Sequence, residues 1–216
     1  MPWRPWAART VRAAAPDDAG VVEGLAYVLY LPEGPGAGGV VICHGAGSAK
    51  ESHLDFARAC RAHGLAAVAF DQRGHGATGG RLDERAVDDV AAVAGVLPAG
   101  PVALRGSSMG GWLALAAAGA VDAAAVVAIC PAPGEGLLRA MRAGTLDFPV
   151  DLAGAERVIG EHDVVAAAGA LGQRLLLLHA EGDEVVPVEV SRTLHAAAPA
   201  SRLVEVPGGQ DRKSVV

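Results

Sequence analysis

Short runs of consecutive apolar residues alternate with amphipathic stretches along most of the chain. Such runs are typical of parallel strands that are covered on both faces, and the stretches between them have the periodicity of helices. We predict strands at residues 24–31, 40–43, 65–70, 101–105, 124–130, 174–178 and 202–206. We predict helices at residues 52–63, 83–96, 111–118 and 188–197. This regular alternation predicts an α/β fold with a doubly wound, mostly parallel sheet.

Polar residues add detail to this prediction at two places. Residues 9–12 are a candidate edge strand, and residues 17–20 (Asp-Asp-Ala-Gly) favour a turn into the strand that follows. In the helix predicted at residues 83–96, the carboxylates of Asp88 and Asp89 are expected to lie on the solvent-exposed side.

The regular alternation stops between residues 135 and 173. This stretch has helical periodicity at residues 137–142, 155–161 and 164–171, but it has no convincing strand. We expect a small cap insertion here. The chain length of 216 residues otherwise indicates one domain, residues 1–216, with no internal repeat.

Composition limits the classes of partner. Of all residues, 51% are hydrophobic but only 4% are aromatic, so the core is built largely from Ala, Val and Leu. The net charge of −6 and the pI near 5.6 argue against binding of nucleic acid or of an anionic membrane.

No secretory signal is visible, and the longest apolar stretch, residues 112–130, is too interrupted for a membrane span. We expect a cytoplasmic protein and leave its oligomeric state open.

The sequence has no metal-binding pattern. The three cysteines, Cys43, Cys60 and Cys130, are widely separated and form no pair with metal-ligand spacing, so we expect reduced thiols. Four further histidines have no partner at such spacing and are expected to be surface or packing residues: His53, His63, His162 and His195. We therefore expect no metal site.

The sequence Gly106-Ser-Ser108-Met-Gly110 lies between a predicted strand and a predicted helix. A G-x-S-x-G sequence in this position is typical of a nucleophile elbow, a turn so tight that its flanking residues must lack side chains. The turn lifts the hydroxyl of Ser108 out of the sheet and leaves the N–H of Met109 free to bind an oxyanion. Ser108 is therefore the candidate nucleophile.

A serine nucleophile needs a base, an acid that orients the base, and a second oxyanion donor. Asp183 follows the strand at 174–178 and is the candidate acid, because catalytic groups gather at the carboxyl ends of parallel strands. The alternative is that Asp183 is a solvated loop aspartate. Ala46, in the loop after the strand at 40–43, is the candidate second N–H donor. His44 comes too early in the chain for the base and is expected to hold this loop.

Four motifs occur in the order His44-Gly-Ala-Gly47, Phe70-Asp-Gln-Arg-Gly-His-Gly76, Gly106-Ser-Ser-Met-Gly110 and His179-Ala-Glu-Gly-Asp183. Together they resemble the α/β-hydrolase superfamily, and most closely its small bacterial serine esterase and peptidase-like branch. The resemblance covers nearly the whole chain from Gly20. It implies a Ser-His-Asp hydrolase that needs no cofactor, in which residues 71–76 form a structural loop and His75 is not catalytic. Relatives with an aspartate or a cysteine nucleophile are excluded because this position is Ser108.

The chain departs from this family at its C-terminus. The family places its catalytic histidine just after the last strand, but here the strand is followed by Gly208, Gly209 and then Gln210, and no histidine comes after it. The helix that usually covers the sheet beyond this point is also missing, so Leu203 and Val206 are expected to be exposed and to favour association. Loss of one triad member lowers the rate by several orders of magnitude.

Residues 211–216 (Asp-Arg-Lys-Ser-Val-Val) correspond to GAT CGG AAG AGC GTC GTG, which is the start of a common short-read sequencing adapter. The next triplet in that frame is a stop, and Lys213 is unusual in a chain whose basic residues are nearly all arginine. We expect residues 211–216 to be a non-native tail; the alternative is a real, degenerate tail. The adapter also supplies the last base of codon 210, and a codon that begins with CA encodes histidine or glutamine. We therefore expect histidine at position 210 in the complete gene.

Two functions of different classes follow from the sequence. The first is a serine hydrolase of small acyl esters, thioesters or amides that works through an acyl-enzyme and is impaired in this chain because the histidine is absent. The neutral side chains of Met109 and Trp112 are expected to line a pocket for an uncharged acyl group. The alternative is a non-catalytic α/β-hydrolase-like protein that keeps the pocket as a binding site.

Overall fold

The computed structural model describes residues 14–208, and an eight-stranded sheet lies at its centre. The strands are β1 Asp18–Val22, β2 Leu25–Tyr30, β3 Gly39–Cys43, β4 Ala66–Phe70, β5 Val102–Ser107, β6 Ala125–Ile129, β7 Leu175–Ala180 and β8 Arg202–Val206. Their order across the sheet is β1-β2-β4-β3-β5-β6-β7-β8. β2 is antiparallel to both β1 and β4, whereas all other neighbours are parallel. The fold class predicted from the sequence is confirmed. The edge strand predicted at residues 9–12 lies outside the described residues.

Helices cover both faces of this sheet. They are α1 Leu54–Ala62, α2 Ala86–Ala94, α3 Met109–Ala116, α4 Gly134–Arg142, α5 Leu152–Glu161, α6 Val164–Leu171 and α7 Glu189–Ala197, with short 3-10 helices at Lys50–His53 and Gly172–Arg174. α1 packs on one face, where Ala57 and Cys60 meet Ile42 and Ala69. α2, α3, α6 and α7 contribute to the larger core on the other face. Every residue of β3 and β4 is buried, as the continuous apolar runs predicted.

Two local predictions are wrong. Residues 17–20 were expected to form a turn, but Asp18 begins β1, whose mostly exposed residues pair with β2 at the edge of the sheet. Asp89 was expected on the solvent-exposed side of its helix, but it is buried in α2. Its carboxylate accepts two hydrogen bonds from Arg73, at 2.8 Å from Nε and 2.7 Å from NH2. Helical periodicity could not show this, because the partner lies in a distant loop.

The stretch between β6 and β7 forms three helices, α4, α5 and α6, at the positions where helical periodicity was predicted. α4 packs against α5, whereas α6 packs against α3 and α7 of the main layer. An isolated bridge between Leu82 and Val150 connects this stretch to the loop before α2. The stretch therefore lies beside the carboxyl ends of the strands, where α4 and the loop after it form one wall of a cavity.

The sheet face that carries α1 is only partly covered. Beyond α1, Val127, Leu176, Leu178 and Val204 are half-buried and lie on this face of β6, β7 and β8. Of the two residues expected to be exposed, Leu203 points to the opposite face and packs against the larger core. Val206 is half-buried and lies on the α1 face with Val204, so it belongs to this half-buried apolar strip. Among residues 14–208, every helix is too short or too polar to span a lipid bilayer.

Candidate active site

Ser108 occupies a strained turn between β5 and α3. Its φ of 53° and ψ of −118° lie outside the conformations that residues with a side chain usually adopt. The turn is held by backbone packing: a Cβ on Gly106 would lie 1.9 Å from the carbonyl oxygen of Gly110, and a Cβ on Gly110 would lie 2.2 Å from that of Cys43. The Ser108 N–H donates to the Ile129 carbonyl at 2.9 Å. These contacts explain why glycine is required on both sides of the serine.

Ser108 lines a cavity of about 830 Å³. Its lining includes residues of α4, of the loop after α4 and of the loop after β7. Met109 and Trp112 were expected to line this pocket, but both side chains are buried in the core and neither borders the cavity. The polar residues of the lining include Ser48, Ser52, His53, Ser107 and Asp183.

The loop after β3 comes close to Ser108. A Cβ on Gly45 would lie 3.5 Å from the Cβ of Ser108. In the part of the chain that the structure describes, the N–H groups of Ala46 and Met109 have no hydrogen-bond acceptor. The residues on either side of Ala46 are held, because the Gly47 N–H donates to His75 Nε2 at 3.2 Å and the Gly45 carbonyl accepts from the Ser48 N–H at 3.2 Å. Two N–H groups without an acceptor, close to a hydroxyl, are what an oxyanion requires.

His44 and His75 position this loop as neutral side chains. His44 Nε2 accepts a hydrogen bond from the Gln72 N–H at 3.0 Å, so Nδ1 carries the proton and donates to the Gly45 carbonyl at 2.8 Å. Burial lowers the pKa of His44 to about 4. Burial also lowers the pKa of His75, whose Nδ1 donates to the Arg73 carbonyl at 3.1 Å. Both imidazoles are occupied by loop contacts, in agreement with the structural role predicted for His44.

Asp183 lies in the loop after β7 and faces the same cavity as Ser108. Its Oδ1 accepts hydrogen bonds from the N–H groups of Val185 and Val186, each at 2.9 Å. Burial alone would raise the pKa of Asp183, but hydrogen bonds from these two N–H groups and from the Cys130 thiol outweigh it and lower the pKa below its ordinary value. The carboxylate is therefore ionised and fixed in orientation.

His179 connects the loop that carries Asp183 to α7. Its Nε2 donates to the Val186 carbonyl at 2.8 Å, and its Nδ1 therefore accepts from the Ser191 hydroxyl at 2.7 Å. Because both nitrogens are used, His179 has no lone pair for a metal. The cluster of Cys130, His179 and Asp183, whose possible ligand atoms lie within 4.8 Å of one another, does not fit a metal ion.

Sequence reasoning missed two contributions to the site. Cys130 follows β6 with φ of 43° and places its thiol beside Asp183. Arg105 in β5 is buried and donates to His53. The sequence does contain a clue to Arg105, because a cationic residue in a predicted central strand is rare. It contains no comparable clue to the role of Cys130.

Gln210, the position expected to hold the histidine, lies outside the described residues. β8 leads to the Asp183 loop, because the Glu181 N–H donates to the Val206 carbonyl at 3.0 Å and the Gly182 N–H donates to the Gly208 carbonyl at 3.3 Å. Position 210 follows two residues later in the sequence.

Solved structures of hydrolases share this fold. The monoacylglycerol lipase of Paleococcus ferrophilus has a TM-score of 0.68 and 18% identity, over 85% of this chain and 89% of that chain. Est1E from Butyrivibrio proteoclasticus has a TM-score of 0.69 and 19% identity, over 90% and 89%. XC6422 from Xanthomonas campestris, an α/β serine hydrolase without a lid, has a TM-score of 0.60 and 23% identity, over 90% and 86%.

Comparison with curated protein sequences gives no match. Residues 35–145, which run from the loop before β3 to the end of α4, match the family described as serine aminopeptidase, S33. This segment contains three of the four sequence motifs, including the turn at Ser108. The chain therefore belongs to the serine aminopeptidase S33 family of α/β-hydrolases.

Proposed function

We propose that this site hydrolyses small acyl esters, thioesters or amides through a covalent acyl-enzyme. Ser108 is the nucleophile, the N–H groups of Ala46 and Met109 hold the oxyanion, and Asp183 orients a histidine at position 210. The observation that carries this proposal is that Ser108 lies directly before Met109 and close to Gly45, which precedes Ala46, and that the N–H groups of Ala46 and Met109 have no acceptor among residues 14–208. The family and the fold of the neighbouring hydrolases support it.

The reaction then has two halves. The Ser108 oxygen bonds to the acyl carbon while the histidine takes its proton, and the two N–H groups stabilise the negative oxygen that forms. The leaving group departs with that proton. A water molecule then gives a proton to the histidine and attacks the acyl carbon, and the acid product leaves as Ser108 regains its proton from the histidine. The ionised Asp183 carboxylate stabilises the histidine in its charged state.

The chain as written has Gln210 in place of the base. An amide side chain does not take up a proton at neutral pH, so the serine is activated poorly and the rate is expected to be strongly reduced. Catalysis that remains comes from binding and from the oxyanion donors. This absence favours a second candidate function, in which the present chain binds an acyl compound in the cavity without turning it over.

A fluorophosphonate probe tests the nucleophile. In the Gln210→His background we expect rapid labelling, and Ser108→Ala should abolish it. Ser107→Ala is the matched control, because Ser107 is the adjacent hydroxyl in the same cavity and should leave labelling intact. Equal labelling of the Ser108→Ala protein would refute the assignment. Binding of an ester without labelling or turnover in the Gln210→His protein would favour the second candidate.

A further inference from the structure

Arg105 is a buried cation without a counter-ion. Its residue is 2% exposed and lies in β5, three positions before Ser108. Within residues 14–208 it forms no ion pair with a carboxylate, and its Nε has no hydrogen-bond partner. The guanidinium lies 5.1 Å from the centre of the Phe56 ring, and its NH1 lies 2.9 Å from Nδ1 of His53. The nearby Lys50 is paired with the buried Asp71 and with the exposed Glu51, and among the described residues neither carboxylate forms an ion pair with Arg105.

The contact with Arg105 fixes the proton on His53. A guanidinium only donates, so Nδ1 of His53 accepts and Nε2 carries the hydrogen. Nε2 is buried, and it too has no partner among the described residues. Burial, with the charge of Arg105, lowers the pKa of His53 to about 4. His53 is therefore a neutral hydrogen-bond donor at neutral pH, and it is not a base.

His53 lies in the wall of the cavity that contains Ser108, and the residue is 5% exposed. The polar residues of the lining include His53 and the hydroxyls of Ser48, Ser52 and Ser107. Its apolar residues include Leu137, Ala140, Leu146 and Val186. The other charged residues of the lining are Arg139 and Asp147, which are exposed and of opposite sign, and Asp183, whose carboxylate is held by the N–H groups of Val185 and Val186. The cavity therefore suits a compound with one apolar part and one acceptor.

A buried donor without an acceptor, on an imidazole that is bonded to the guanidinium of Arg105, favours an anionic acceptor from outside. We propose that His53, supported by Arg105, binds a carboxylate carried by one arm of the ester substrate and so determines specificity. Arg105 is a positioning residue, because it acts through His53. The proposal rests on the proposed function only where it calls the ligand a substrate; binding of the carboxylate does not depend on the reactivity of Ser108.

Binding without turnover tests the proposal directly. The full chain with Ser108→Ala is titrated with monomethyl glutarate and with dimethyl glutarate, and binding is followed by calorimetry or NMR. We expect the monoanion to bind at least roughly tenfold more tightly, as a hydrogen bond to a charged group implies. His53→Leu should abolish this preference, and His53→Gln, which keeps an N–H donor, should retain most of it. Carboxymethyl acetate, which has its carboxylate on the alcohol arm, shows which arm the site recognises.

His63→Leu is the matched control, because His63 lies just after the other end of α1 and is exposed. It should leave the preference unchanged. Equal affinity for the two glutarates in the parent, or a preference that survives His53→Leu, would overturn the proposal. If His53→Leu fails to fold, the parent and the His53→Gln protein still decide, since loss of the preference in His53→Gln means that the N–H donor is not the determinant.

A kinetic measurement separates the role of His53 from a structural one. In the Gln210→His background, His53→Leu should raise KM for the carboxylate ester by roughly tenfold relative to KM for the neutral ester, with a smaller effect on kcat. An equal loss for both esters would show a structural effect and contradict the proposal. Failure of fluorophosphonate labelling would affect only the assignment of Ser108, because the titration of the Ser108→Ala protein needs no reaction.

Discussion

Lys50 and Asp71 form an ion pair in the protein interior, with 2.6 Å between Nζ and Oδ2. Their side chains are 9% and 0% exposed. The Asp71 carboxylate also accepts the N–H groups of Lys50 and Ala77, each at 2.8 Å. Burial would raise the pKa of Asp71, but these hydrogen bonds and the Lys50 charge lower it instead. The pair thus ties the segment after the Ala46 loop to the loop that carries His75.

Removing the cation should leave a buried carboxylate without a partner. We expect Lys50→Met to lower the free energy of unfolding by about 3–5 kcal/mol, measured by urea denaturation. Arg85→Met is the control, since it removes an ion pair to Asp83 in which the arginine is exposed and should cost about 1 kcal/mol or less. A change below that of the control would show that the buried pair does not hold the two loops.

Stability should fall as the pH decreases from 6.5 to 4. The pKa of His44 and of His53 is about 4 in the folded protein and 6.5 in the unfolded chain, so the unfolded chain takes up protons first. Their contribution is complete above pH 6.5 and is lost as the pH approaches 4, by up to about 3 kcal/mol for each imidazole. Asp71 and Asp183 stay ionised in this range because their pKa values are lowered.

Urea midpoints at several pH values check this prediction. His44→Gln should flatten the dependence on pH, whereas His63→Gln, at an exposed position, should not change it. NMR titration of the imidazole resonances gives an independent reading if His44→Gln fails to fold. An imidazole of His44 that titrates near pH 6.5 in the folded protein would contradict the expectation.

The turn at Ser108 should not tolerate a single methyl group at its flanking glycines. Gly106→Ala and Gly110→Ala place a Cβ against backbone atoms at 1.9 and 2.2 Å, so β5, β3 or α3 must move. We expect a loss of at least about 2 kcal/mol in stability together with loss of probe labelling. Gly119→Ala meets no atom within 4 Å and should change stability by about 0.5 kcal/mol or less. An active, stable Gly110→Ala protein would show that the turn is looser than described.

Gln210→His should restore a general base. Hydrolysis of a p-nitrophenyl ester is expected to rise by roughly 10³-fold or more, because a triad without its histidine retains only the contribution of binding and of the oxyanion donors. Gln210→Asn controls for a change of side chain without a base. Adding Asp183→Asn to the Gln210→His protein should remove most of the gain. Activity that is unchanged by Gln210→His would place the base elsewhere.

The half-buried apolar strip on β6, β7 and β8 should cause association. Leu178→Lys is expected to shift sedimentation towards the monomer, because it puts a charge in the middle of the strip. Val21→Lys is the control on the exposed edge strand β1. A parent protein that sediments as a monomer at high concentration would contradict this prediction.

The sequence predicted the elements whose environment is encoded locally. β3 and β4 are continuous apolar runs because both of their faces are buried, and the turn at Ser108 needs glycines that are visible in the sequence. Elements that depend on distant partners were missed. β1 forms only because β2 pairs with it, and Asp89 is buried only because Arg73 reaches it from another loop.

The same distinction holds for the site. Ser108, Asp183 and Ala46 were placed by motif and chain order, and the structure brings all three to one cavity. The contact of Arg105 with His53 joins residues that are far apart in the chain, so no periodicity or motif could reveal it. The face of the sheet to which Leu203 points depends on the register of β8 with β7, so it could not be predicted from the sequence either.

The turn that presents Ser108 is held by main-chain atoms of β3, β5 and α3, whereas Leu137, Ala140 and Leu146 in the cavity wall come from α4 and the loop after it. The position of the Ser108 oxygen and the shape of the space around it are therefore set by different segments of the chain. We expect a library of variants confined to residues 137–146 to change which compounds bind in the cavity without moving Ser108. In this scaffold, selectivity can be engineered separately from the turn that carries the serine.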